Sequence, residues 1–112
     1  MAKPILQFAD DPPIIINCGQ SKTVQLAVTP QAIGDCTVSL NLALKSCHFE
    51  DGSNEMSQAQ SATAADEKMS FTFNIEINCE TPDTYFTLLY AVAQNAAGEK
   101  SYRKSIELDI NC

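Results

Sequence analysis

Apolar and polar residues alternate with a period of two along most of the chain, the pattern of β-strands with one buried face and one exposed face. The clearest run spans 69–77, where Met, Phe and Ile share one parity and Ser, Thr, Asn and Glu share the other. The same alternation over 24–28, 38–44 and 106–110 predicts three more strands. No segment shows convincing helical periodicity, so the pattern predicts an all-β protein.

Two segments depart from simple alternation. Residues 85–92 are apolar at almost every position, which predicts a central strand covered on both faces. Residues 14–16 follow Pro12 and Pro13, and a strand entered through prolines suits a sheet edge because proline cannot donate a ladder hydrogen bond. These segments bring the number of predicted strands to six, with a seventh expected near His48 or inside the polar segment 50–68.

Turn-forming residues separate the strands, among them Pro30, Gly34 and Gly98. Short strands with a turn every ten or so residues favour an antiparallel two-sheet sandwich of six or seven strands. A length of 112 residues suits one domain, so we expect residues 1–112 to form a single sandwich domain.

Composition and charge narrow the function classes. The chain is 45% hydrophobic, which is enough for a packed core, and its 14 acidic and 7 basic residues give a net charge of −7. An acidic chain disfavours nucleic-acid binding. The longest apolar run, Leu88–Ala93, is far shorter than a membrane helix, so we expect no membrane insertion. Asp10 and Asp11 interrupt the apolar N-terminal residues, so we expect no signal peptide in this chain.

Three predicted strands end in the same pattern, [IL]-x-I-N-C, which closes at Cys18, Cys79 and Cys112. If the strands alternate in direction, these three residues gather with Cys47 at one pole of the sandwich, and Cys36 lies at the other. The odd number of cysteines leaves at least one thiol free or paired to another chain.

Three interpretations of this pole stay open. One or two disulfides would each stabilise the fold by roughly 3–4 kcal/mol on the chain-entropy model. Reduced cysteines would serve as small core hydrophobes in a reducing compartment. Three or four thiolates could bind a metal, but the close CxxC pairs of structural zinc sites are missing. We therefore predict a disulfide or thiol cluster with no metal and no cofactor.

The polar segment 50–68 is predicted to be a long loop that acts as a contact arm. A disordered connector is the alternative, and for residues 57–68 a short surface helix is another. The candidate binding residues lie at the start of the segment, and they are Glu50, Asp51, Asn54, Glu55 and Met56.

Catalysis is not expected from this sequence. His48 is the single histidine, and its neighbour Cys47 would point to the opposite face of a strand, so the two cannot form a nucleophilic dyad. The chain contains no phosphate-binding loop and no nucleophile elbow.

The segment 93–101, Ala-Gln-Asn-Ala-Ala-Gly-Glu-Lys-Ser, resembles the F–G hairpin of fibronectin type III and I-set immunoglobulin-like domains. Asp83-Thr84-Tyr85 resembles the region that carries the tyrosine corner in such domains. The resemblance implies an immunoglobulin-like β-sandwich. The chain departs from these families because it has no Trp and has Ala91 where I-set domains place a cysteine.

These observations predict a non-enzymatic structural or binding module that acts through loops, edge strands near Ile14 and Ile106, or self-assembly. The expected partners are another protein or further copies of the chain. The expected setting is extracellular, as a virion surface or decoration protein or as a cell-surface adhesin domain. The alternative is a cysteine-based metal-binding or thiol protein that uses the strand-end cluster.

Overall fold

The computed structural model describes residues 2–112, and these residues form nine β-strands and no helix. The strands are β1 (Ile5–Phe8), β2 (Ile14–Asn17), β3 (Ser21–Thr29), β4 (Gly34–Leu42), β5 (Cys47–Phe49), β6 (Glu55–Ala62), β7 (Met69–Cys79), β8 (Thr84–Gln94) and β9 (Lys104–Asn111). The prediction of an all-β protein is confirmed. Within the part of the chain that the structure describes, there is no helix that could span a membrane.

The strands form two curled sheets, each shaped like half of a barrel. One sheet has four strands in the order β1-β3-β7-β5, and all its pairs are antiparallel. The other has five strands in the order β2-β9-β8-β4-β6, and its β2–β9 pair is parallel. The prediction of six or seven antiparallel strands was therefore wrong in number and in the direction of β2.

The core lies between the concave faces of the two sheets and is built from the inward parity of each strand. Because every second residue of a strand points to the same face, the alternating segments deliver their apolar side chains to one interior. The largest fully buried side chains are those of Phe71, Phe73, Leu6, Leu26, Leu40, Ile75, Ile77, Leu89, Leu108, Ile110, Val24 and Val28.

The segment 50–68, predicted as a loop with a helix as an alternative, contains strand β6, which pairs antiparallel with β4. Its inward side chains include Gln58 and Gln60, whose amides donate to the carbonyls of Thr72 (2.7 Å) and Ser70 (2.8 Å) on β7. Side-chain donors thus take the place of a neighbouring strand along this part of β7 and tie the two sheets together. The polar composition that indicated a loop reflects this bridging role.

Strand β1, with four residues, was also missed, and β5, with three, lies where a seventh strand was expected near His48. Segments this short carry too few positions for a period of two to be visible. Strand β8 lies at the centre of its sheet, but the prediction that both its faces are covered was wrong. The Phe86 side chain on its outer face is 75% exposed.

Candidate functional site

Two disulfides close one end of the molecule. Cys18 and Cys112 join the ends of the parallel neighbours β2 and β9. Cys47 and Cys79 are directly opposed on the antiparallel strands β5 and β7 and form the second bridge. Each bridge therefore links two strands of the same sheet.

The two bridges meet at this end and form one sulfur cluster, which we call the cysteine pole (Cys18, Cys47, Cys79 and Cys112). The Sγ atoms of Cys18 and Cys79 lie 3.8 Å apart. Since disulfide sulfurs carry no hydrogen, this approach is a van der Waals contact. The Sγ atoms of Cys18, Cys79 and Cys112 all lie within 4.8 Å of one another. The pole thus places the ends of both sheets in contact.

Cys36 has no disulfide partner and is fully buried on β4. Burial raises the pKa of its thiol above the ordinary value. A buried thiol that resists ionisation is a poor nucleophile and a poor metal ligand, so Cys36 acts as a core side chain.

His48 and Asn54 hold the connection between β4 and β6. The Nδ1 atom of His48 lies 2.9 Å from Oδ1 of Asn54, and its Nε2 atom lies 3.8 Å from a Glu80 carboxylate oxygen. The Asn54 amide nitrogen donates to the carbonyls of Leu42 (3.1 Å), Leu44 (2.9 Å) and Cys47 (3.1 Å). Asn54, predicted as a binding residue, is thus engaged in fixing the backbone around β5.

The remaining predicted binding residues lie close together. Glu50, Asp51 and Met56 line a cleft of about 380 Å³ that Phe49, Asn74 and Glu76 complete. Glu55 is exposed at the start of β6. The Ser53 hydroxyl donates to the Asp51 carboxylate at 2.7 Å and the Ser53 amide at 3.0 Å, and these bonds lower the pKa of Asp51. The cleft therefore combines two apolar side chains with acidic groups.

A second surface, which sequence reasoning missed, lies on the outer side of the five-stranded sheet. Phe86, Leu88, Tyr90 and Val92 project outward from β8, while Leu89 and Ala91 between them point into the core. Phe86 is largely exposed, and the other three are half-buried. We call this column and its flanking strands the β8 face. The apolar outward positions of β8 are its only mark in the sequence, and they are equally typical of a strand covered on both faces.

The β8 face differs in shape and charge between its two ends. At one end, the acidic residues Asp109 and Glu107 on β9 stand opposite Phe86 and Leu88. At the other end, the Arg103 guanidinium stacks 4.5 Å from the centre of the Tyr90 ring. A shallow groove of about 300 Å³ lies at the same end, lined by Thr37, Ser39, Asn41, Glu55, Val92, Gln94 and Lys100.

No protein-family model matches this chain, and no curated protein matches it significantly in sequence.

Proposed function

We propose that this chain is a non-enzymatic structural module that associates with a second copy of itself through the β8 face. The observation that carries this proposal is Phe86, a large aromatic side chain left 75% exposed at the end of an apolar column on a central strand. An antiparallel sheet with one face in water usually presents polar side chains there. Contiguous exposed apolar surface is typical of protein–protein contact sites.

The difference in shape and charge between the two ends of the β8 face favours a second copy as the partner. A two-fold axis perpendicular to β8 would set Phe86 of one copy over the groove beside Val92 of the other. The same rotation would set Asp109 and Glu107 against Lys100 and Arg103, and every contact would occur twice, as symmetry requires. This local charge complementarity offsets the repulsion between two chains of net charge −7.

The architecture supports an immunoglobulin-like assignment for this module. The strand orders follow the A-B-E-D and G-F-C-C′ sheets of variable-type domains, with β5 in the D position although it precedes β6 in the chain. Tyr85, near the start of β8, donates its hydroxyl to the Thr81 carbonyl at 2.8 Å, as a tyrosine corner does. The disulfides differ from the inter-sheet bridge of antibody domains because each lies within one sheet.

The disulfides also indicate the kind of compartment in which we expect such a module. Two bridges are compatible with an extracellular location, because disulfides persist in oxidising surroundings. A virion surface or a cell surface is the setting we propose, since repeated copies of one chain assemble there. The proposed function involves neither nucleic-acid binding nor catalysis.

Sedimentation velocity over a concentration series tests the proposal. The wild-type chain is expected to form dimers, and Phe86→Ser is expected to weaken dimerisation at least about tenfold through loss of a buried aromatic anchor. Ile33→Ser is the matched control, because Ile33 is 70% exposed but lies in the β3–β4 turn and not in the apolar column of β8.

Charge reversal provides an independent check of the orientation. Arg103→Glu should weaken dimerisation, and adding Glu107→Arg should restore part of it, because the two residues would face each other across the interface. A chain that stays monomeric at its highest soluble concentration would overturn self-association and indicate a different protein as the partner. Equal weakening by Phe86→Ser and Ile33→Ser would also contradict the proposal.

A further inference from the structure

We propose that reduction of both disulfides converts the cysteine pole into a binding site for one thiophilic divalent cation, with Zn²⁺ as the best fit. The ligands would be the four thiolates of Cys18, Cys47, Cys79 and Cys112. This site uses none of the outward residues of the β8 column and does not depend on self-association.

The spacing of the sulfur atoms carries this inference. A tetrahedral zinc ion with Zn–S bonds of about 2.3 Å holds its sulfur ligands about 3.8 Å apart. The Sγ atoms of Cys18 and Cys79, which no covalent bond joins, lie 3.8 Å apart. With Cys112, they occupy a region in which all three sulfurs lie within 4.8 Å of one another. Cys18 and Cys79 therefore already hold the tetrahedral spacing, and the Cys112 sulfur, bonded to that of Cys18 until reduction, lies in the same region.

Cys47 supplies the fourth ligand. It is fully buried and directly opposite Cys79 on the neighbouring strand, so reduction leaves its sulfur beside that of Cys79. Breaking each S–S bond lets its two sulfurs separate by side-chain rotation. Cys112 adjusts most easily because it is exposed and follows the last residue of β9.

The fold replaces the close ligand pairs that structural zinc sites usually draw from short loops. Each cysteine lies in or directly after a different strand, β2, β5, β7 or β9, and strand pairing fixes these positions. The absence of a CxxC spacing therefore does not exclude a site here, because the sheets bring the ligands together.

A phosphine reductant supplies the two electrons that each disulfide needs. Each S–S bond accepts two electrons and two protons and becomes two thiols, while the phosphine takes an oxygen atom from water and becomes the phosphine oxide. Binding then replaces four S–H protons with one divalent cation, and the protons pass to the buffer. The pole would be closed by disulfides in an oxidising compartment and by metal in a reducing one.

The test titrates Co²⁺ and then Zn²⁺ into the full chain after phosphine reduction, beside an oxidised sample. The reduced chain is expected to bind one Co²⁺ with the intense absorption of tetrahedral thiolate coordination, and Zn²⁺ should displace it. Native mass spectrometry should show one Zn²⁺ per reduced chain. The oxidised chain should bind none.

Two single variants distinguish metal binding at the cysteine pole from an effect of the number of cysteines in the chain. Cys79→Ala should abolish stoichiometric Co²⁺ binding, whereas Cys36→Ala should leave it unchanged, because Cys36 is buried in β4 and takes no part in the pole. Circular dichroism follows folding in each sample, and the metal-loaded chain should retain its β-sheet signal. Absence of stoichiometric metal in the reduced wild type would overturn the proposal. So would equal losses in the two variants, or metal binding to a chain without β-sheet signal.

Discussion

Cys36 shows what complete burial does to an ionisable side chain. Its thiol lies in the core on β4, among side chains that cannot stabilise a thiolate, and burial raises its pKa. The folded protein therefore keeps this thiol protonated at pH values where the unfolded chain ionises it. Folding is then coupled to pH through this residue.

The stability of the wild type relative to Cys36→Ala should fall at alkaline pH. Below the ordinary thiol pKa of about 8.5, both folded and unfolded states hold the proton, so the contribution of Cys36 is fully present. As pH rises from that value through the higher folded pKa, the unfolded state alone loses its proton and gains stability. Urea denaturation at pH 7 and pH 10 measures the difference. A difference that stays constant or grows with pH would contradict the burial argument.

Asn95 is the most heavily bonded polar side chain at the end opposite the cysteine pole. Its amide donates to the carbonyls of Pro30 (2.9 Å) and Ala2 (3.3 Å), and its Oδ1 accepts from the amides of Ala97 and Glu99 (3.1 Å each). The residue is 5% exposed. One side chain thus connects the β8–β9 hairpin, the β3–β4 turn and the N-terminal residues.

Asn95→Ala is expected to lower the free energy of unfolding by about 2–3 kcal/mol. Several hydrogen bonds are lost, and buried partners such as the Pro30 carbonyl are left without a donor. Urea denaturation measures the loss. Gln94→Ala is the control, because Gln94 is exposed and makes one long bond of 3.4 Å, so its loss should stay below about 0.5 kcal/mol. Similar losses in the two variants would show that Asn95 has no special role.

At the scale of elements, β6 lies beside the residues of β7 that β5 does not reach. The hydrogen bonds between β6 and β7 come from glutamine side chains and not from a backbone ladder. Gln58 and Gln60 occupy alternate positions on β6 and reach alternate carbonyls on β7. An uncovered strand of this kind is a template for pairing with other chains. The glutamines therefore contribute both to stability and to solubility.

The double variant Gln58→Ala, Gln60→Ala is expected to lose about 1–2 kcal/mol of unfolding free energy and to aggregate more readily on heating. Two hydrogen bonds are removed and the backbone of β7 becomes accessible. Chemical denaturation and light scattering measure the two effects. The matched control is Ser57→Ala, Ser61→Ala, which alters the opposite parity of β6. If both double variants aggregate alike, the glutamines do not protect this edge.

Four of the strands that the sequence predicted share one property, a long alternation with a dry face. Strand β7 shows it over its whole length, and β3, β4 and β9 show it well enough to be recognised. Strand β6 could not be recognised, because its inward positions bind backbone carbonyls and carry glutamines instead of apolar side chains. The all-β class was therefore predictable, whereas the number of strands was not.

The candidate surfaces were likewise predictable only in part. The strand-end pattern at Cys18, Cys79 and Cys112 indicated one pole on the assumption that successive strands alternate in direction. The pairing of the bridges depends on which strands are neighbours, and a single sequence does not contain that information. The β8 face was missed because apolar residues at both parities do not reveal whether a second layer covers them.

At the scale of the whole molecule, the cysteine pole joins the chain's distant parts. The Cys18–Cys112 bridge spans 94 residues and links an early strand to the last one, whereas the Cys47–Cys79 bridge spans 32. Because a disulfide restricts the unfolded chain, the longer loop should contribute more to stability. On the chain-entropy model, the two contributions are about 4.7 and about 3.7 kcal/mol.

Removing the bridges separately tests this difference. Cys18→Ala, Cys112→Ala should lose about 1 kcal/mol more unfolding free energy than Cys47→Ala, Cys79→Ala if restriction of the unfolded chain dominates. Denaturation of both variants without reductant measures the two losses. The Cys47–Cys79 pair has the more buried position, so its removal also leaves a small cavity in the core. A larger loss for that pair would mean that packing at the pole, and not the length of the closed loop, sets the stability that each bridge provides.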